Sequence, residues 1–219
     1  MHQAVSADLV RYLAGALLPA YARFDPAHNA DHIRTVIENS MELAQGYDVH
    51  PDMVYTIAAY HDIGISQGRK THHLTSGRML AEDTRLLQWF TPQQIAVMRE
   101  AIEDHRASAA APPRSIYGCI IAEADRDLRP ETVIMRCYQY VLSHHPQLAF
   151  DGQFDKLYAH LQEKYSEGGY MRLWLHAPEN ELGLARLRAM LADREALRAY
   201  VGQHAAAWAG SAAPGGEAR

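Results

Sequence analysis

The dipeptide His61-Asp62 belongs to a set of histidine and aspartate side chains with the chemistry of a metal site. The other members lie on both sides of it in the chain: His32, His73, His105 and Asp125. Imidazole nitrogens and carboxylate oxygens are ligands that suit divalent first-row metals such as Mn²⁺, Fe²⁺, Co²⁺ and Zn²⁺. A polar side chain that faces a core must find a partner, and a cluster of such groups most naturally finds a cation.

Hydrophobic periodicity predicts that these side chains continue the apolar stripes of separate helices. One such stripe comprises Val54, Ile57, Ala58 and His61. His105 ends a similar stripe on a later helix, Asp125 lies within another, and His32 and His73 share faces with apolar residues. Each residue taken alone is more often a hydrogen-bonded core side chain than a ligand. Burying all of them without a metal, however, would leave several costly unsatisfied polar groups, so the set as a whole favours a metal site.

Helical spacing recurs along the whole chain, and no convincing strand alternation interrupts it, so we expect an all-α fold. Proline and capping residues set several of the predicted helix starts. The predicted helices are approximately 8–24, 31–47, 51–63, 72–84, 92–105, 116–128, 130–144, 154–165 and 179–204, with loops at 66–71 and 107–113.

Composition indicates an ordinary globular protein and excludes several classes of partner. The chain has 219 residues, of which 48% are hydrophobic and 21% charged, and its net charge is −5. The charges are mixed, so we expect no nucleic-acid polymer as a partner, and no apolar run is long enough to span a membrane. Cys119 and Cys137 lie in apolar helical patterns and are expected to be reduced, buried thiols. Without a recognisable signal peptide, the expected location is cytoplasmic.

The order of the candidate ligands resembles that of a known family. His32, then His61-Asp62, then Asp125, each on its own predicted helix, is similar to the HD-domain superfamily of metal-dependent phosphohydrolases. The local sequences Ala-Ala-Tyr-His-Asp-Ile-Gly (58–64) and Ala-Asp-Arg (124–126) also resemble its motifs. The similarity covers about residues 28–127. It implies an all-α, single-domain helical bundle of the HD type over residues 1–204, with its core at 28–127 and a helical extension at 130–204. Residues 205–219 would then form a flexible tail.

The resemblance also implies which residues bind metal. In that superfamily the four matched residues hold one divalent ion, and a water on that ion attacks phosphorus. His73, four residues before Gly77, resembles the His-x-x-x-Gly of members with two metals, and His105 resembles their other extra ligand. By that analogy Asp62 bridges to a second ion held by His73 and His105. His72 is the alternative to His73, and the spacing to Gly77 favours His73.

The expected cofactor is therefore one or two divalent ions, with Mn, Fe, Co, Zn and Mg all open. Such ions lower the pKa of a bound water and stabilise negative charge that develops on phosphoryl oxygens. Asp62 would also orient that water, which makes it the predicted catalytic residue. Arg69, Lys70 and Arg106 adjoin predicted ligands and are our candidates for holding phosphate, because guanidinium and ammonium groups match it in charge and geometry. An ordinary solvated charge is the alternative for each.

The favoured function is a phosphohydrolase or phosphodiesterase that acts on a small phosphorylated molecule such as a nucleotide. One alternative is a di-iron oxygenase of the HD type, and another is a non-catalytic metal-binding sensor domain. The absence of Gly-Tyr-Pro after His105 disfavours a cyclic-di-GMP phosphodiesterase, and the absence of Glu-Asp after His61-Asp62 disfavours an alarmone hydrolase. Two roles are open to the extension at 130–204: it covers the site or it forms a homodimer contact.

Overall fold

The computed structural model describes residues 4–21, 24, 30–109 and 111–210, and within these ranges it contains helices and no strand. The predicted all-α class is confirmed. The α-helices of this part of the chain are α1 (Ala7–Tyr21), α2 (Ala30–Ala44), α3 (Pro51–Tyr60), α4 (His72–Glu82), α5 (Pro92–Asp104), α6 (Ile116–Ala124), α7 (Pro130–His144), α8 (Phe150–Tyr165), α9 (Pro178–Ala192) and α10 (Arg194–Gly210). None of the helices in the described ranges is long and apolar enough to cross a membrane.

The chain divides into two compact units, Met1–Arg126 and Asp127–Arg219. The first contains α1 to α6 and all of the candidate ligands, and the second contains α7 to α10. The boundary lies at the end of the segment predicted as the core, residues 28–127. The predicted organisation into one domain over 1–204 with an extension stays a prediction.

The first unit is built around one apolar core. Its fully buried side chains come from every helix of the unit and include Leu13, Ile33, Ile57, Met98 and Ile121. Side-chain caps fix where two of these helices begin. Thr91 and Gln94 form a reciprocal capping box at the start of α5, and Ser115 accepts a hydrogen bond from the Gly118 amide at the start of α6.

Between α3 and α4 the chain forms two short 3₁₀ helices, Ile63–Gln67 and Arg69–Thr71, where a polar loop was predicted. These turns keep the segment compact, so that Asp62 and His72 lie close in space. Helix α6 also ends four residues earlier than predicted, at Ala124, which leaves Asp125 at its carboxyl-terminal end.

The second unit corrects two predictions. The helix predicted over 179–204 is in fact two helices, α9 and α10, separated at Asp193, whose carboxylate accepts a hydrogen bond from the Ala196 amide. The tail predicted to begin at residue 205 was also placed too early. Helix α10 continues to Gly210 because the Trp208 side chain, only 8% exposed, packs inward and makes further helix favourable. The rest of the predicted tail, 211–219, lies outside the described residues.

Candidate metal centre

Three of the candidate ligands occupy the same structural position, the residue that ends a helix. His61 ends α3, His105 ends α5 and Asp125 ends α6. Asp62 follows directly, with backbone angles φ −110° and ψ 1° that leave the α-helical path. His32 lies in the first turn of α2. The apolar stripes that identified these residues in the sequence therefore deliver them to one place, at the ends of the helices.

The first group of ligand atoms consists of His32, His61, Asp62 and Asp125, one atom from each and all within 4.8 Å of one another. His32 Nε2 lies 3.2 Å from Asp125 Oδ1 and 3.5 Å from Asp62 Oδ2. His61 Nε2 lies 3.3 Å from Asp62 Oδ2 and 3.6 Å from Asp125 Oδ1. These four residues are the ones predicted to hold the first ion.

The second group of ligand atoms consists of Asp62, His72 and His105, again within 4.8 Å of one another. His72 Nε2 lies 3.3 Å and His105 Nε2 3.8 Å from Asp62 Oδ1. The two Nε2 atoms are 3.1 Å apart. The carboxylate of Asp62 therefore faces the first group through Oδ2 and the second through Oδ1. A side chain placed in this way can bridge two ions.

The preference for His73 over His72 was wrong. His73 belongs to neither group of ligand atoms, and its Nδ1 makes no hydrogen bond with any described residue. Neighbouring residues of a helix point about 100° apart, so only one of the pair can face Asp62. The spacing to Gly77 was misleading because Gly77 serves another purpose: a Cβ there would lie 3.1 Å from the Arg99 carbonyl oxygen, so its absence allows α4 and α5 to pack closely.

Main-chain carbonyls orient three of the imidazoles. In each case Nδ1 hydrogen-bonds to the carbonyl oxygen three residues earlier. His61 bonds to Ala58 O at 2.8 Å, His72 to Arg69 O at 2.6 Å and His105 to Ile102 O at 2.6 Å. A carbonyl can only accept, so Nδ1 carries the proton and Nε2 presents its lone pair to the centre. This outer hydrogen bond is the arrangement that metal-ligating histidines use.

The pKa values of the histidines differ between the two groups of ligand atoms. Burial alone would lower the pKa of His61, but the Asp62 and Asp125 carboxylates outweigh it and raise the pKa to about 10. The same carboxylates also raise the pKa of His32 against the effect of burial. Burial and the charge on His61 lower the pKa of His105 to about 3. His105 is therefore neutral and ready to coordinate, whereas a cation at the first group must displace a proton.

The residues fit a divalent cation. His61 is fully buried, and its Nε2 makes no hydrogen bond of good geometry with the described residues. Imidazole and carboxylate donors suit Mn²⁺, Fe²⁺, Co²⁺ and Zn²⁺. Three helices end at this centre, and the partial negative charge of a helix carboxyl terminus adds to that of the two aspartates.

The predicted phosphate-binding residues lie beside the second group. Arg69 and Lys70 form the 3₁₀ turn that precedes His72, and Arg106 follows His105. Arg106 Nη1 donates a hydrogen bond to the Lys70 carbonyl oxygen at 2.8 Å, which ties the two segments together. The Lys70 side chain is exposed, and those of Arg69 and Arg106 are half-buried. The three positively charged residues thus lie on the segments next to His72 and His105. Their role toward a substrate stays a prediction.

Sequence reasoning missed two contacts that support the centre. The Gly64 amide donates a hydrogen bond to Ser76 Oγ at 2.9 Å, which fastens the turn after Asp62 to α4. The Asn39 side chain on α2 donates to the Ala124 carbonyl oxygen at 3.2 Å, directly before Asp125. A glycine after the His-Asp dipeptide was visible in the sequence, but its partner twelve residues later was not.

Comparison with known proteins finds a family match for the segment that carries the candidate ligands. Residues 29–129 match the family model described as the HD domain, which includes every ligand of both groups. A crystal structure of a predicted HD superfamily hydrolase from an uncultured Thermotogales bacterium is similar, with a TM-score of 0.49 and 20% identity over 91% of this chain and 92% of that one. No curated protein matches the chain. The segment that supplies the two groups of ligand atoms, residues 29–129, thus belongs to the HD-domain superfamily.

Proposed function

We propose that this protein is a metal-dependent phosphohydrolase or phosphodiesterase that acts on a small phosphorylated molecule such as a nucleotide. The observation that carries the proposal is the orientation of the Asp62 carboxylate. One of its oxygens faces His32 and His61, and the other faces His72 and His105. HD domains are typically metal-dependent phosphohydrolases, and the ligand set of this one is complete.

His32, His61, Asp62 and Asp125 would hold the first ion, and Asp62, His72 and His105 the second. When bound, such ions supply an activated water and neutralise charge on phosphoryl oxygens. The chain's own contribution is geometric. The main-chain carbonyls before His61, His72 and His105 fix each imidazole ring, so that the donor atoms need little reorganisation.

The surrounding cations support a phosphate as the reacting group. Arg69, Lys70 and Arg106 lie on the two segments that carry the second group's histidines. Their positive charge would attract an anionic substrate and hold the phosphate oxygens that do not react. A neutral substrate would gain nothing from this arrangement.

The test begins with elemental analysis of protein purified without added metal, followed by a panel of phosphate monoesters and diesters with the matched ion. Asp62→Ala is the decisive variant, and Asp48→Asn, which changes an exposed aspartate away from both groups, is its control. Asp62→Ala is expected to lose bound metal and at least a hundredfold of activity, about 2.7 kcal/mol in the barrier. Unchanged metal content and activity would overturn the proposal.

A di-iron oxygenase is the second candidate, because the ligand set is rich in histidine. Four imidazoles and two carboxylates suit iron as well as manganese. Two iron atoms per chain together with substrate-dependent oxygen uptake, and no phosphate release across the panel, would favour this function. Phosphate release that is independent of oxygen would exclude it.

A further inference from the structure

Tyr21, the last residue of α1, carries a hydroxyl group that is buried beside the backbone of the metal centre. Its side chain is fully buried, and the hydroxyl donates a hydrogen bond to the Ala59 carbonyl oxygen at 2.9 Å. Tyr21 lies outside residues 29–129, which match the HD domain. The first helix therefore contributes a polar group to a centre whose ligands all lie within that segment.

The Ala59 carbonyl group, which accepts this hydrogen bond, lies in the last turn of α3. The last carbonyl groups of a helix have no intrahelical partner. At the end of α3, Ala58 O accepts from His61 Nδ1, and Ala59 O accepts from Tyr21. Both carbonyl groups are thus hydrogen-bonded in the last turn of α3, which precedes the candidate ligands His61 and Asp62.

The same hydroxyl also faces Asp62. Burial and the Asp62 carboxylate raise the pKa of Tyr21 well above its usual value, while a hydrogen bond from the Asp62 backbone acts in the opposite direction. The Tyr21 hydroxyl thus donates to the Ala59 carbonyl group before His61 and lies against the backbone of Asp62 after it.

We propose that Tyr21 is a positioning residue for the metal centre, whose hydroxyl fixes the His61-Asp62 turn so that the Asp62 carboxylate faces both groups of ligand atoms. This inference rests on the metal site of the proposed function. The chain leaves the α-helix at Asp62, whose backbone angles are φ −110° and ψ 1°, and the Asp62 carbonyl oxygen accepts a hydrogen bond from the Ile65 amide at 3.0 Å in the 3₁₀ helix that follows. A carboxylate that serves both groups needs both oxygens aimed correctly, and the hydroxyl of Tyr21 restrains the backbone on the α3 side of this turn.

A role in packing alone is the competing explanation. The Tyr21 ring makes an edge contact with Phe24, with the ring centroids 5.2 Å apart, and belongs to the core cluster of the first unit. Tyr21→Phe keeps the ring and removes only the oxygen. Tyr138→Phe is the matched control, because Tyr138 is also buried and its hydroxyl donates to Gln153 Oε1 at 3.0 Å in the second unit.

The experiment titrates metal-free wild type, Tyr21→Phe and Tyr138→Phe with Mn²⁺ and Co²⁺ by calorimetry, and measures the urea midpoint of each. Loss of an outer partner of a metal ligand typically weakens metal binding roughly 10–100-fold. We expect Tyr21→Phe to raise the Kd within that range and Tyr138→Phe to leave it unchanged, although both variants lower the urea midpoint. Amide hydrogen exchange in the metal-free proteins gives a second readout: exchange at residues 61–63 is expected to accelerate in Tyr21→Phe alone.

The outcomes separate this inference from the proposed function. If wild type binds no metal, the proposed function fails. If wild type binds metal, and Tyr21→Phe binds it with the same Kd and shows unchanged exchange at residues 61–63, the positioning role is wrong. An equal rise in Kd in both variants would also overturn the inference, because it would trace the effect to stability alone.

Discussion

The substitution Gly64→Ala tests how closely the two segments that carry Asp62 and His72 must approach each other. A Cβ at residue 64 would lie 2.5 Å from the His72 carbonyl oxygen, 2.6 Å from the Ser76 amide nitrogen and 2.8 Å from Thr75 Cβ. Ordinary contacts begin at 3.4 Å, and two of these three atoms belong to the main chain of α4, so no flexible side chain can yield. The first turn of α4 must therefore move away by about 0.9 Å, the difference between 2.5 and 3.4 Å.

The displaced turn carries His72, whose Nε2 lies 3.3 Å from Asp62 Oδ1. Functional groups generally tolerate errors of only about 0.5 Å, so the second group of ligand atoms should lose its geometry while the first keeps it. Overpacking of this kind costs about 1–3 kcal/mol of stability. We expect Gly64→Ala to retain one metal ion per chain and to bind the second at least tenfold more weakly.

The assay is calorimetric titration combined with elemental analysis of the dialysed protein. Gly169→Ala is the matched control, because its Cβ would meet the Lys164 carbonyl oxygen at 2.6 Å in the second unit, which contains none of the ligands. Two ions bound with wild-type affinity in Gly64→Ala, alongside a comparable loss of stability in both variants, would refute the reasoning. Loss of both ions in both variants would refute it as well.

Three further predictions concern other parts of the molecule. His72→Ala is expected to lose one bound ion per chain and His73→Ala none, as measured by elemental analysis. The reverse result would show that His73, and not His72, is the ligand. Arg114→Ala is expected to lower the Tm at pH 7, by an amount equivalent to about 1 kcal/mol or less. Burial raises the pKa of Glu103, but the ion pairs of Glu103 with Arg114 and Arg99 outweigh burial and lower this pKa below 4.5. The contribution of these ion pairs to folding stability is therefore complete above pH 4.5 and is lost as pH falls through the lowered pKa. The difference in Tm from wild type should shrink toward pH 3, and a difference that is constant with pH would contradict this origin. Burial raises the pKa of the Cys137 thiol to about 11, so a thiol reagent at pH 8 should modify it only after unfolding, and rapid labelling of the native protein would contradict its burial.

Much of the fold was predictable because its signals are local. Helices α3, α5 and α7 begin with Pro51, Pro92 and Pro130, at the starts predicted from the sequence. The break at Asp193 was not predictable, since helix-forming residues flank it and neither glycine nor proline marks it. The extent of α10 depends on the burial of Trp208, which is a tertiary contact.

The candidate metal centre was likewise predictable where its signals are local and not predictable where they depend on tertiary contacts. Residue type and helical periodicity identified His61, Asp62 and their partners, because ligands must face the interior. The choice between His72 and His73 depended on which side of α4 meets Asp62, and adjacent residues of one helix carry no local signal for that. The Gly64–Ser76 contact likewise joins residues whose proximity only the folded chain creates.

Placing ligands at the ends of helices has a consequence for how such a protein can diversify. The chain has left the α-helix at Asp62 and leaves it at His105 and Asp125, and the connecting segments 63–71, 106–115 and 126–129 follow these residues. Insertions or substitutions in these connections would alter the rim of the centre without shifting the helices that hold it, since loops tolerate changes that packed helices do not. The candidate ligands can therefore keep their positions while the connecting segments around them change in length and sequence.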